Sequence, residues 1–228
     1  AMRPPLERGL PETTDWRDYV RDIHLHAYPA AEAIERFANG ELEVVLGGRL
    51  ASLPLADTGP LSRGTVRLDP AIGLFGLQVV RGSGLLVNAE TRAAIAMAID
   101  RPALANAFNV GVWTPTTRLV TPDLPDETGL VSERWTDLDM DERRAVARGR
   151  IAAAGGSRVL TLAIGTSPGH QLLFDELRRQ LASVGVTLDR AENAAGADLL
   201  LVDRVARYAS ARWFLNQFNC QLDRGLCS

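Results

Sequence analysis

The chain has 228 residues, room for one large domain or two small ones with a core that needs no disulfide or metal staples. Apolar residues make up 46% and charged residues 23%, a composition that excludes a disordered, collagen-like or coiled-coil chain. The 28 acidic and 25 basic residues leave a formal charge of -3 with no basic block, which argues against nucleic-acid binding; every basic residue is Arg, so lysine-based chemistry such as a Schiff base or a phosphate-loop lysine is excluded.

Residues 1 to 20 carry Pro4, Pro5 and Pro11 without clear periodicity and read as a loop or docking arm. They show no charged stretch followed by an apolar run of the signal-peptide kind, and no apolar run in the chain approaches the ~20 residues of a membrane span. Ile23, Leu25 and Ala27 alternate with His24, His26 and Tyr28 as a half-buried strand. Ala30 to Ala38 puts Ala33, Ile34 and Phe37 on one helical face and closes at Asn39-Gly40, and Glu41 to Leu46 is a second strand. This βαβ pattern predicts parallel strands on a helix-covered sheet.

Residues 47 to 65, rich in Gly, Pro and Ser, read as a connector with a short helical turn at Leu50 to Leu53. Strand-like stretches follow at Thr65 to Leu68, Leu74 to Val80 and Leu85 to Val87. Thr91 to Ala98 reads as a helix with Ala94, Ile95, Ala98 and Ile99 inward. Asp100 is a good N-cap and Pro102 fits a first turn, which predicts a short helix over Ala103 to Phe108, and residues 110 to 138 are loop-like. The last ninety residues predict helix 139–154 closed by Gly155-Gly156, strand 159–164, helix 170–184, strands 186–190 and 198–203, and helix 210–217. In the 170–184 helix Leu173, Leu177, Leu181 and Val184 form the apolar face, with Arg178, Arg179 and Gln180 off it. The fold class is α/β.

Candidate chemistry is sparse. His24 and His26 share one strand face with no third ligand beside them, so a surface or packing role is preferred to a metal site. His170 opens a helix after Gly165-Thr166-Ser167-Pro168-Gly169, at a strand end where ligands of open α/β sheets collect. The same loop matches Gly-x-Ser-x-Gly, but Pro168 removes the N–H that a nucleophile elbow uses for its oxyanion hole, and no catalytic residue is assigned. Asp137, Asp139 and Asp141 are explained by capping at a helix start. Asp203, Arg204, Arg207 and Tyr208 follow an apolar strand, as a ligand-contacting loop or a solvated charge cluster. Cys220 and Cys227 either close a small loop or are unrelated thiols, and two thiols with dispersed histidines do not make a metal site.

The segment Thr91-Arg92-Ala93-Ala94-Ile95-Ala96-Met97-Ala98-Ile99-Asp100-Arg101 resembles the R-x-A-I/L-x-x-A-I-D-R hallmark of the extracellular solute-binding proteins, family 5, which serve ABC importers of peptides and related solutes. Gly84-Leu85-Leu86-Val87-Asn88 is similar to the family's strand ending in Asn. Phe37 to Glu43 resembles its x-G-E-x-D element, Arg148 to Gly156 its L-x-x-A-G helix end, and Leu160 to Leu188 its strand-helix-G-V/I-x-V unit. These fall in family order over about residues 20 to 228.

The resemblance implies a type II periplasmic-binding-protein fold in which residues 1–48 are an arm and the last piece of a first lobe, and residues 49–228 most of a second, C-terminally truncated lobe. It implies a non-enzymatic periplasmic monomer that closes two lobes on a solute and hands it to a membrane permease, with no metal or organic cofactor and no nucleic acid. The alternative is the solute-sensing lobe of a cytoplasmic transcriptional regulator. Among family residues, an Asp that receives a peptide's amino group corresponds to Arg207, next to Tyr208, while His170 sits where a His can meet a ligand carboxylate; both point to an anionic ligand. Asp203, Arg204 and Asn88 complete the expected ligand-binding set, and cysteine pairs in some members favour a Cys220–Cys227 disulfide.

Overall fold

The computed structural model describes residues 22–56, 66, 71–109, 113–121, 124, 132–222 and 226. Two compact units divide the chain, Ala1–Gly47 and Gly48–Ser228.

In the first unit the element described is helix α1 (Ala30–Ala38). Its end is a Schellman turn, with Gly40 at φ 76° and the Glu41 and Gly40 N–H groups on the carbonyls of Arg36 and Phe37. Arg36 lies over the Tyr28 ring and pairs with Glu32 and Glu41. The predicted flanking strands at Ile23–Tyr28 and Glu41–Leu46 form no strand pairing among the described residues, and Leu25 and Leu46 are 86% and 81% exposed. A strand is stable only beside others that bury one of its faces, and the one sheet described lies wholly in the second unit.

The second unit begins with a 3-10 helix, Leu50–Ala56, and builds a four-stranded mixed sheet in the order β1-β4-β2-β3. Strand β1 (Gly73–Val79) runs antiparallel to β4 (Leu199–Val205), while β2 (Val159–Ala163) is parallel to both β4 and β3 (Thr187–Arg190). The stretch Thr65–Leu68 lies outside the described residues except for Val66. Leu85–Val87 is not a strand: Gly84–Leu86 is a 3-10 turn, and it buries the consecutive side chains Leu85 and Leu86, which a strand would send to opposite faces.

The hallmark segment is a helix junction. Asn88 caps α2 (Ala89–Ala98), accepting from the N–H and hydroxyl of Thr91, and Arg92 donates to the carbonyls of Leu86 and Val87. Asp100 caps α3 (Arg101–Ala107) through the Ala103 N–H, and Arg101 reaches back to the carbonyls of Ala96 and Ile99. One residue thus closes each helix end where orphan backbone groups would otherwise face the core. Helix α4 (Met140–Ala154) opens with a complete capping box between Asp139 and Glu142 and ends at Gly155, φ 67°.

Helix α5 (Pro168–Ala182) buries Leu173, Leu177 and Leu181 as the periodicity predicts, followed by buried Val184. Gln180 departs from the expectation: it is fully buried. Its Oε1 accepts from the Asp100 N–H at 2.7 Å, and its Nε2 donates to the Asp100 carbonyl and to Glu176. A polar residue is tolerated in the core here because each of its polar atoms is bonded. The main core joins α2, α4, α5 and the sheet, with Leu199 and Leu201 contributed by β4 and Leu77 and Val79 by β1. A smaller cluster seats Trp213 and Phe214 of α6 (Ala211–Asn216) beside Ile72 and Leu74 at the start of β1. Among the described residues no helix is long and apolar enough to cross a membrane.

Candidate functional site

Strands β2 and β4 meet only at Leu162–Leu199 and Ala163–Leu200, after which β2 leaves the sheet while β4 continues to Val205 with β1 alone beside it. Among the described residues, one edge of β4 therefore has no strand partner from Leu201 onward. Next to it, between the loop after β2 and the turn after β3, lies a cleft of about 500 Å³ lined by Arg49, Gly165, His170, Glu192, Leu201 and Asp203 among others. Its charged and ionisable groups are of both kinds, one guanidinium and one imidazole against two carboxylates.

The loop after β2 enters α5 through Ser167, the N-cap, and Pro168, whose fixed φ and missing N–H suit a first helical turn. Ser167 does not cap a backbone N–H; its hydroxyl lies 2.9 Å from Nδ1 of His170. The His170 ring packs over Gly165, where a Cβ would overlap Nδ1. At Gly169, directly before His170, a Cβ would overlap the Leu50 carbonyl, so the start of α5 sits directly on the Leu50–Ala56 turn.

Of the residues singled out from sequence, His170 and Asp203 come together in the cleft. Arg204 points elsewhere, its Nη1 donating to Gln217 Oε1 beyond α6 at 2.8 Å. Arg207 and Tyr208 stand exposed in the bend after β4, and Arg207 forms no ion pair with Asp203. Asn88 is a helix cap. Cys220 lies in the turn after α6, and Cys227 lies outside the described residues. His24 and His26 are exposed, with His26 stacked on Tyr28. Among the described residues no cluster of His, Cys, Asp and Glu could hold a metal ion.

Sequence reasoning did not find Arg49, Glu192 or Arg190. Arg49 lies in the connector and Glu192 just past a strand, with only that position as a signal. Arg190, at the end of β3, donates from Nη1 to the carbonyls of Gly165 (2.7 Å) and Ile164 (3.3 Å) and from Nη2 to Gln171 Oε1 (2.7 Å), with its guanidinium over the Phe174 ring.

Behind the cleft, Asp198 fastens the sheet. Burial works against its charge, but hydrogen bonds from the Thr161 N–H and hydroxyl, a bond from Arg81 and the charge of Arg81 outweigh it and hold the carboxyl below its ordinary value.

Residues 14–219 match the family described as bacterial extracellular solute-binding proteins, family 5 Middle. Among solved structures, Haemophilus influenzae OppA in complex with the peptide RPPGFSPFR superposes with a TM-score of 0.71 at 18% identity, covering 86% of this chain and 42% of that one. OppA of Burkholderia pseudomallei gives 0.68 at 16% identity, covering 85% and 41%. The murein tripeptide binding protein MppA of Escherichia coli gives 0.65 at 20% identity, covering 83% and 40%. At these identities the likeness is one of fold, and the chain spans about two fifths of those structures' length. No curated protein matches the chain.

Proposed function

The chain belongs to the bacterial extracellular solute-binding proteins, family 5, and from that membership we propose that it is the greater part of the second lobe of a periplasmic substrate-binding component that delivers a peptide or related small solute to an ABC permease. The observation that carries the reading is the edge of β4 past Leu200, which has no strand partner among the described residues and lies beside the cleft. An extended peptide backbone satisfies such an edge by adding as a strand, which supplies affinity independent of side-chain identity. The cleft's two carboxylates and its Arg49 and His170 suit a solute that carries both charges. Arg207, exposed after β4 with no ion pair among the described residues, is a contact for an additional anionic group, with Tyr208 beside it.

The role is binding by closure of two lobes, not catalysis. The Ser167–His170 pair has the spacing of a nucleophile and base, but Pro168 offers no N–H to an oxyanion. In the oxidising periplasm Cys220 and Cys227 can pair.

Native mass spectrometry of the complete gene product from its own host, with the mature N-terminus read from the same sample, tests this. A cleaved leader and a bound species of peptide-like mass support it. An uncleaved N-terminus carrying a DNA-binding segment overturns it in favour of a cytoplasmic sensor.

A further inference from the structure

His170 is held in one orientation by an arrangement that helix formation does not require. A Ser at the N-cap ordinarily accepts from a first-turn N–H, and forgoing that bond weakens the helix start. Here the hydroxyl is turned to the imidazole instead. The ring can lie there only because residue 165 has no Cβ. The backbone of residues 164 and 165 is in turn fixed from the far end of β3 by Arg190, which bonds both carbonyls, bonds Gln171 one residue past His170, and stacks on Phe174 one turn further along α5. The guanidinium is thus committed on both arms and one face to protein groups.

We propose that Arg190 is a positioning residue for the solute cleft: by fixing the Ile164–Gly165 carbonyls and Gln171, it presets the His170 imidazole with Nδ1 on Ser167 and Nε2 left to the cleft. This rests on reading the cleft as the solute site. With the Ser167 hydroxyl donating to Nδ1, the neutral ring carries its proton on Nε2, which makes it a donor for a carbonyl or carboxylate oxygen of the solute. Arg190 itself touches no solute, and its substitution acts through His170.

The test uses the full chain labelled with ¹⁵N-histidine, with His170 assigned by H170N against His24 and His26. Long-range ¹H–¹⁵N correlations report which ring nitrogen carries the proton. Wild type is expected to show a single tautomer with the proton on Nε2. R190M keeps an aliphatic stem over Phe174 but removes the fork, and is expected to give an averaged tautomer pattern like that of His24 and His26 while the thermal midpoint changes little. R190A should give the same averaging with a lower midpoint. His170 signals unchanged in both variants overturn the proposal, as does a wild-type ring that is already averaged. Titration with trialanine is the separate readout: loss of one oriented hydrogen bond predicts about tenfold weaker binding in R190M. If trialanine does not bind wild type, the cleft has failed as a peptide site, whereas the tautomer result still decides the role of Arg190.

Discussion

Gln180 offers the sharpest test of how the hallmark segment is held. Replacing it with Ala removes the acceptor of the Asp100 N–H, the donor to the Asp100 carbonyl and the bond to Glu176, and leaves a void at a fully buried position. A buried donor left without a partner costs about 1–3 kcal/mol, and the void adds on the order of 1 kcal/mol. Asp100 is only half buried, so water can recover part of the loss, and the expected destabilisation is about 3 kcal/mol. Urea unfolding followed by tryptophan fluorescence measures it, since Trp113, Trp135 and Trp213 all belong to the second unit. Gln180→Glu serves as the control. It keeps an acceptor for Asp100 but sets a second carboxylate against Glu176, so its own folded pKa is raised, the folded state binds more protons, and its stability relative to wild type should improve as pH falls. A loss below about 1 kcal/mol in Gln180→Ala, or a Gln180→Glu penalty that ignores pH, refutes the account of this junction.

Asp198→Asn should cost about 2 kcal/mol at neutral pH, because Thr161 and Arg81 lose a charged acceptor. The depressed folded pKa means that this contribution is complete above the ordinary Asp value of about 4 and disappears as pH falls through the lower folded value, so wild type and variant should converge in acid unfolding curves. Gly169→Ala should push the Leu50–Ala56 turn off α5 and lower stability by about 1–3 kcal/mol, checked by thermal denaturation. Asn88→Ala should cost about 1 kcal/mol of stability through the lost cap and leave solute affinity unchanged; a change in affinity with intact stability would return Asn88 to the ligand site.

Local signals in the sequence survived where one element determines its own ends. Asp100 and Pro102 announced α3, the acids Asp137, Asp139 and Asp141 marked the start of α4, and the spacing of Leu173, Leu177 and Leu181 gave the buried face of α5. The same arithmetic put Gln180 outside the core, because its neighbours' polarity hides the fact that two backbone groups 80 residues away satisfy it. Residues 23–28 and 41–46 have strand-like alternation, but pairing is supplied by tertiary partners, not by pattern. For the site, the loop at Ser167–His170 was visible because a strand end followed by a helix start is a local event. Arg190 was not, since its role depends on β3 lying beside β2, and Arg204 and Arg207 were indistinguishable as charges until the structure put Arg204 in β4 bonded to Gln217 and Arg207 exposed in the bend beyond it.

The sheet order also dictates a schedule. Strand β1 is made early in the chain yet has β4 as its only strand neighbour among the described residues, and the Arg81–Asp198 bond beside that pairing joins residues 117 apart. Closing a loop of that length costs about 4 kcal/mol in its length-dependent part, against about 3 kcal/mol for the roughly thirty residues of the β2–α5–β3 crossover. The shorter closure favours pairing within the crossover, and of β4 with it, before β1 is added. Until β1 pairs, β4 offers its β1-side flank along its whole length to any passing strand, including one from another nascent copy. The edge proposed to receive the solute thus has, for the interval of folding, a counterpart on the other side of β4 whose proper occupant, β1, has yet to pair.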